Sequence, residues 1–197
     1  MKEVNTYQES ESVLIAKDNI LEISHCEIDN LKKLARENGY NKSRLLFHKD
    51  KKETLHEMLI VHNSSPPKSF KYNNPHKNVN SAKSWQILEG KVVFVVFNEY
   101  GEVIGHNILC SNSDEYSFML RLNEACYHTL IPITDVLVYI ETLLGPFSER
   151  TNHCSDNVPI PPIPLPITTP TRFASTVWSL RSSLALSSAC ADAATAN

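Results

Sequence analysis

The 197-residue sequence has no long apolar run, no paired cysteines and no excess of positive charge. A membrane-spanning helix needs about 18 or more consecutive apolar residues, and no segment approaches that, so none is expected. The net charge of -3 argues against nucleic acids and anionic membranes as partners. The first residues, MKEVNTYQESES, are polar and acidic, unlike a secretory signal.

The cysteines are dispersed along the chain and form no CxxC motif. They are Cys26, Cys110, Cys126, Cys154 and Cys190. An odd, scattered set predicts reduced thiols and a cytoplasmic location. Their expected role is that of small apolar core residues, not of a thiolate site.

Composition divides the chain into three zones. Residues 1–43 are predicted to form a helix-and-strand extension that packs on a β-barrel over 44–147. The last zone, 148–197, is proline-rich and then Ser/Ala-rich, with no lysine. This composition predicts a disordered tail. A weaker alternative makes the proline-rich segment a docking site for a partner protein.

Hydrophobic periodicity locates the main elements. In SHCEIDNLKKLARENGYN, the residues Ile28, Leu31, Leu34 and Ala35 recur at helical spacing, and Gly39 is a stop signal. A short strand, VLIA, is predicted at 13–16. Further strands, separated by turn signals, are predicted at 44–48, 57–62, 84–89, 91–98, 103–109, 117–122 and 136–143. Many short strands indicate a mainly β protein, either a sandwich or a barrel.

The stretch NNPHKNVNSAKSWQILEG contains candidate site residues. His76 and Asn78 are two residues apart, so on a strand both side chains face the same way. His128, on or beside a later strand, can meet them inside a barrel. Imidazole is a good ligand for zinc, iron, nickel or copper, and a carboxamide oxygen is a poorer one.

Several pieces of the sequence together resemble the WbuC-type cupin-fold metalloproteins, which are associated with bacterial surface-polysaccharide (O-antigen) gene clusters. The resemblance runs from about Asp18 to Phe147. The pieces that carry it are RLLFHKD, ETLHEMLIV, NPHKN, SWQILEGKVVFVVFNEYGEV, YHTLIPI and YIETLLGPF. It implies a single cupin jelly-roll barrel, and homodimer formation through edge strands.

The resemblance also implies ligand positions. His76 matches the first histidine of the cupin motif H-x-H…E…G, and His128 matches the histidine of the second motif. Asn78 stands where the motif has its second histidine, and Lys83 stands where it has glutamate, seven residues before Gly90. A protonated lysine has no lone pair and repels a cation. We therefore expect weak or lost binding of one divalent metal (Zn, Fe, Ni or Mn) by His76, Asn78 and His128.

The sequence is compatible with three functions. The first is binding of an anionic sugar or sugar nucleotide in surface-polysaccharide biosynthesis, with Lys83 and His48 as ligand-binding residues. The second is a metal-dependent sugar isomerase or epimerase, with His76 and His128 as catalytic residues. The third is a non-catalytic binding or regulatory module.

Other side chains receive structural roles. Glu141 is expected to partner a basic group, such as Arg44 or Lys83. His56 and His62 are expected to face solvent or to be hydrogen-bonded structural residues. Trp85 is assigned to core packing, on the strand face opposite Lys83.

Overall fold

A computed structural model of the protein describes residues 3–39, 41–63, 82–98, 102–124 and 126–146, with the backbone of two short strands at 73–74 and 153–154. His76 and Asn78 lie outside the described residues. So does the predicted disordered tail, apart from the backbone at 153–154.

One helix, α1, covers His25–Glu37. Ser24 caps its N-terminus in a capping box, in which the backbone N–H of Ser24 donates to the Glu27 carboxylate at 2.8 Å. The helix ends at the predicted place, since Asn38 is the C-cap and Gly39 follows with a φ of 70°. An ion pair of 2.7 Å between Lys32 and Glu89 ties the helix to the sheet beneath it. The helix α1 falls short of the length and apolar character that crossing a membrane requires.

Twelve strands are described. In chain order, β1 to β12 are Thr6–Ser10, Val13–Ala16, Lys42–Leu46, Leu55–His62, Asn73–Asn74, Lys83–Glu89, Lys91–Phe97, Val103–Cys110, Met119–Leu122, Tyr127–Pro132, Leu137–Leu144 and His153–Cys154. They form a seven-stranded sheet in the order β1-β2-β3-β4-β11-β6-β9. The second sheet has five strands, in the order β12-β5-β10-β7-β8.

The pairing of the eight strands β4 to β11 is that of a jelly roll. The first pairs with the last (β4 with β11), the second with the seventh (β5 with β10), the third with the sixth (β6 with β9), and the fourth with the fifth (β7 with β8), always antiparallel. Such nested pairing folds a long hairpin into two facing sheets. The predicted fold class, a mainly β jelly roll with a short N-terminal helix, is confirmed.

The chain passes from one sheet to the other at Gly90, the single residue between β6 and β7. Gly90 has a φ of 88°, a conformation that glycine adopts without steric cost. A Cβ at this position would collide with the carbonyl oxygen of Val136 and the hydroxyl of Thr134. This close approach lets β6 and β7 face each other across the interior.

Two apolar layers hold the seven-stranded sheet. Its inner face packs against the second sheet through a cluster that includes Trp85, Phe94 and Tyr139. Its outer face packs against α1, where Leu31 meets residues such as Leu59. At roughly 25 cal/mol per Å² of apolar surface, these buried layers supply the main driving force for folding.

The strands predicted from the sequence all have counterparts, within two residues at either end, and VLIA forms β2 as predicted. The apolar run at 92–97 is buried on both faces because it lies in β7, between β10 and β8. The predicted list omitted β1 and β10, and also the two-residue strands β5 and β12.

Candidate functional site

The inner face of the seven-stranded sheet carries a row of polar side chains. The register places Met58 of β4 opposite Glu141 of β11, and Glu141 opposite Trp85 of β6, so these residues share the inner face. Two positions along, Leu143 lies opposite Lys83. Residues two apart on a strand point to the same side. Lys83 and Glu141 therefore face the interior together with the aromatic core.

Between these strands lies a pocket of about 270 Å³, which we call the interior pocket. Its charged and titratable lining consists of Glu9, Arg44, His48, Lys51, His56, Lys83 and Glu141, and its apolar lining of Val13, Leu46, Met58 and Leu143. Lys83 and His48 were predicted to bind a ligand, and the structure places both in this one pocket. Arg44, His56 and Glu141 were not predicted as ligand-binding residues.

Within the part of the chain that the structure describes, two nitrogen atoms of pocket-lining residues are buried without a hydrogen-bond partner. They are Nε of Arg44 and Nε2 of His56. Leaving a buried polar group unpaired costs about 1–3 kcal/mol, and more for a charged group. Arg44 therefore has a buried donor, its Nε–H, that no described protein group satisfies.

His48 and His56 form a stacked pair beside this donor. Their ring centroids are 4.0 Å apart and their planes differ by 13°. The Nδ1 of His48 lies 3.2 Å from the carbonyl oxygen of Glu57, to which it donates when protonated. Burial, and then the neighbouring His56, lower the pKa of His48. His56 was expected either to face solvent or to be a hydrogen-bonded structural residue. The first alternative is wrong, since the exposed fraction of His56 is 3%.

Among the described residues of the interior, cations outnumber carboxylates. Lys42, Arg44 and Lys83 face Glu141, yet no carboxylate oxygen in the described ranges lies within 4.0 Å of any of these cationic nitrogens. Burial, followed by the charge of Arg44, lowers the pKa of Lys42 to about 8, while Glu141 opposes the shift. Glu141 thus acts electrostatically on the basic residues, without the direct ion pair that the sequence predicted.

The positive charges of Lys42 and Arg44 also act on His62, which lies opposite Lys42 across the β3–β4 pair. Burial, and then the charges of Lys42 and Arg44, lower the pKa of His62 to about 3. Its Nε2 lies 3.2 Å from the hydroxyl of Tyr139. This agrees with the prediction that His62 is a hydrogen-bonded structural residue.

His128 lies on β10, opposite Val96 of β7, and its exposed fraction is 2%. Its ring packs edge-on against Trp85 at 4.9 Å and stacks on Phe94 at 5.3 Å between centroids. Placing Trp85 on the face opposite Lys83 was therefore wrong, because residues i and i+2 of a strand share a face.

The state of His128 follows from its neighbours. Its Nδ1 donates to the carbonyl oxygen of Cys126 at 2.9 Å, which leaves the lone pair on Nε2. Burial, followed by the positive charge of Lys83, lowers the pKa of His128 to about 4. Burial also raises the pKa of Cys126 to about 12, with Lys83 opposing. Lys83 and His128 are thus brought together in the interior, and His128 is neutral at neutral pH.

The described side chains do not fit a divalent metal. Within the part of the chain that the structure describes, no three His, Cys, Asp or Glu side chains are grouped to hold one. The described residue at the motif's glutamate position is Lys83, whose ammonium acts on His128 and would repel a cation there. The metal set His76, Asn78 and His128, and the catalytic pair His76 and His128, stay predictions.

No family model and no curated protein matches the chain. Similar solved structures include a variant oxalate decarboxylase of B. subtilis, 11% identical with a TM-score of 0.38, which covers 52% of this chain and 24% of that one. Another is Fe(II)-HppE with the alternative substrate (S)-1-HPP, 14% identical, with a TM-score of 0.41 and coverage of 55% and 52%. A third is an RmlC-like cupin of Shewanella frigidimarina, 13% identical, with a TM-score of 0.37 and coverage of 56% and 80%.

The chain thus spans about a quarter of the length of the oxalate decarboxylase and about half of the length of HppE. Identities and TM-scores this low carry no argument about activity, and the fold rests on the nested strand pairing described above. The protein has a jelly-roll fold, and its structural neighbours include cupin superfamily proteins.

Proposed function

We propose that this protein binds a small anionic ligand in the interior pocket. The observation that carries the proposal is the buried Nε of Arg44, which has no hydrogen-bond partner among the described residues and belongs to a residue that lines this pocket together with Lys83. A phosphate or carboxylate oxygen accepts from such a donor in a charge-assisted bond, and Arg suits these anions especially well.

Electrostatics supports the same conclusion. Cations removed from water are costly unless they are paired. Lys83 is buried and Lys42 and Arg44 are half-buried, while the carboxylates that line the pocket are Glu141 and the exposed Glu9. An anion bound beside Arg44 and Lys83 reduces this excess of positive charge. Part of the electrostatic cost of folding this interior is then recovered as binding free energy.

The resemblance to WbuC-type cupins supports a more specific proposal, that the anion is a sugar or sugar-derived acid used in surface-polysaccharide biosynthesis. This link depends on the resemblance of the sequence pieces alone. In this proposal the metal is weakly bound or lost, because Lys83 stands in place of the motif's carboxylate. His128, neutral with a lone pair on Nε2, is not part of the pocket's lining and is assigned no contact with the anion.

Titration calorimetry of the full chain with inorganic phosphate and with a sugar 1-phosphate tests the anion site. We expect binding that Arg44→Gln weakens about tenfold or more, since a hydrogen bond to a charged group is worth roughly 1.5–3 kcal/mol. Arg36→Gln, a change of an exposed arginine in α1, is the matched control and leaves binding unchanged. If neither anion binds, or if both variants behave like the wild type, the proposal is wrong.

A further inference from the structure

We infer that the ligand is a single-ring, hydroxylated acid, and that Glu141 selects its hydroxyl groups. The inference rests on the proposed anion site and narrows the class of ligand. It is argued from three features of the interior pocket: the position of Glu141, the apolar part of the lining, and the volume.

Glu141 lies in the wall that the seven-stranded sheet contributes to the pocket. It lies on β11 between Met58 of β4 and Trp85 of β6, and it lines the pocket with Arg44 and Lys83. A carboxylate only accepts hydrogen bonds. A bare anion held by Arg44 and Lys83 is repelled by this carboxylate, whereas a ligand with hydroxyl groups donates to it.

The rest of the lining fits the carbon skeleton of such a ligand. Leu46, Met58 and Leu143 provide apolar surface beside the charged groups. The C–H groups of a sugar ring pack on apolar side chains, while its acid group and hydroxyls reach opposite charges. The pocket therefore offers cations, an acceptor and an apolar wall within one small volume.

The volume limits the size of the ligand. The pocket measures about 270 Å³, just below the range of about 300–1,000 Å³ that is typical for drug-sized ligands. A monosaccharide acid has this scale, and a nucleotide sugar exceeds it. Of the two ligand types that the sequence left open, the pocket favours the sugar acid.

Two acids of similar ring size test the inference by calorimetry on the full chain. D-Glucuronate carries hydroxyl groups and cyclohexanecarboxylate has none. We expect glucuronate to bind the wild type about tenfold tighter or more, because a site built to pair a hydroxyl rejects the analogue that lacks it. UDP-glucuronate is expected to bind at least tenfold more weakly than glucuronate.

Glu141→Leu should abolish the preference and tighten binding of cyclohexanecarboxylate, since it removes both the acceptor and the repulsion. If that variant does not fold, Glu141→Gln keeps the shape and should tighten both acids while reducing the preference. This inference is overturned by any of three results: equal affinity of the two acids, an unchanged preference in the Glu141 variant, or tight binding of UDP-glucuronate. Each of them leaves an Arg44-dependent anion site intact. Failure of both inorganic phosphate and the sugar 1-phosphate to bind overturns the anion site itself, and this inference with it.

Discussion

Acid should destabilise this fold through His62, and the size of the effect follows from its surroundings. Burial and the charges of Lys42 and Arg44 lower the pKa of His62 from 6.5 to about 3. The unfolded chain therefore takes up a proton at this residue as the pH falls below 6.5, while the folded chain does not. The stability that neutral His62 contributes is complete above pH 6.5 and is lost progressively as the pH falls toward 3.

At pH 5 the stability lost through His62 depends only on its pKa in the unfolded chain, because pH 5 is well above its pKa in the folded chain. The difference of about 1.5 units between pH 5 and the unfolded pKa of 6.5 corresponds to a loss of roughly 2 kcal/mol at this one residue. His128, whose folded pKa is about 4, adds a loss of similar size over the same range. We therefore expect the wild type to lose about 4 kcal/mol between pH 7 and pH 5 from these two histidines.

Urea unfolding at pH 7 and pH 5, followed by circular dichroism, measures this loss. His62→Gln should lose about 2 kcal/mol less than the wild type between the two pH values, whatever its stability at pH 7. His25→Gln, which changes an exposed histidine at the start of α1, should lose as much as the wild type. Equal losses in the wild type and His62→Gln would refute the view that burial, together with the charges of Lys42 and Arg44, keeps His62 neutral.

Two further predictions concern the pocket wall and the metal. Gly145→Ala should destabilise the protein by about 1–3 kcal/mol and weaken anion binding, because the new methyl group collides with the carbonyl oxygen of Glu53 and the ring of His56. The prediction is contradicted if the variant unfolds in urea at the wild-type midpoint and binds the anion with wild-type affinity. Elemental mass spectrometry of the purified full chain should find less than one transition-metal ion per chain. A stoichiometric ion that is lost in His76→Ala would instead show that the predicted metal set binds it.

Local sequence patterns predicted most of the elements, but they could not predict how the strands pair. The apolar runs of β4, β7 and β11, and the helical spacing of α1, are strong signals because burial requires them. Strand β1, TYQES, is mostly exposed and lacks alternation, so it was missed. Strand β10 was left out of the predicted list because YHTLIP mixes polar residues with apolar ones and ends at proline. The nested pairing depends on long-range contacts that no short window contains.

The candidate site was predicted in part. The resemblance pointed to Lys83 and His128, and the structure brings both into the interior. The unpaired Nε of Arg44 could not be predicted from the sequence. It depends on which strands flank β3 and on whether they place an acceptor near this N–H. His56 was misassigned because a polar residue beside an apolar strand suggests exposure, while here the stacked His48 and the backbone at Gly145 cover it.

The nested pairing of the jelly roll also bears on how quickly the protein reaches its folded state. The pair formed by β4 and β11 joins the first and the last of the eight jelly-roll strands, so most of the domain lies in the loop that this pair closes. Folds dominated by such distant contacts fold in milliseconds to seconds, because the entropy of loop closure is lost before the contacts are gained. Glu141 lies on β11 and Arg44 on β3, on opposite sides of β4. The interior pocket is therefore completed only when that pair closes, and ligand binding should report when the pair has formed.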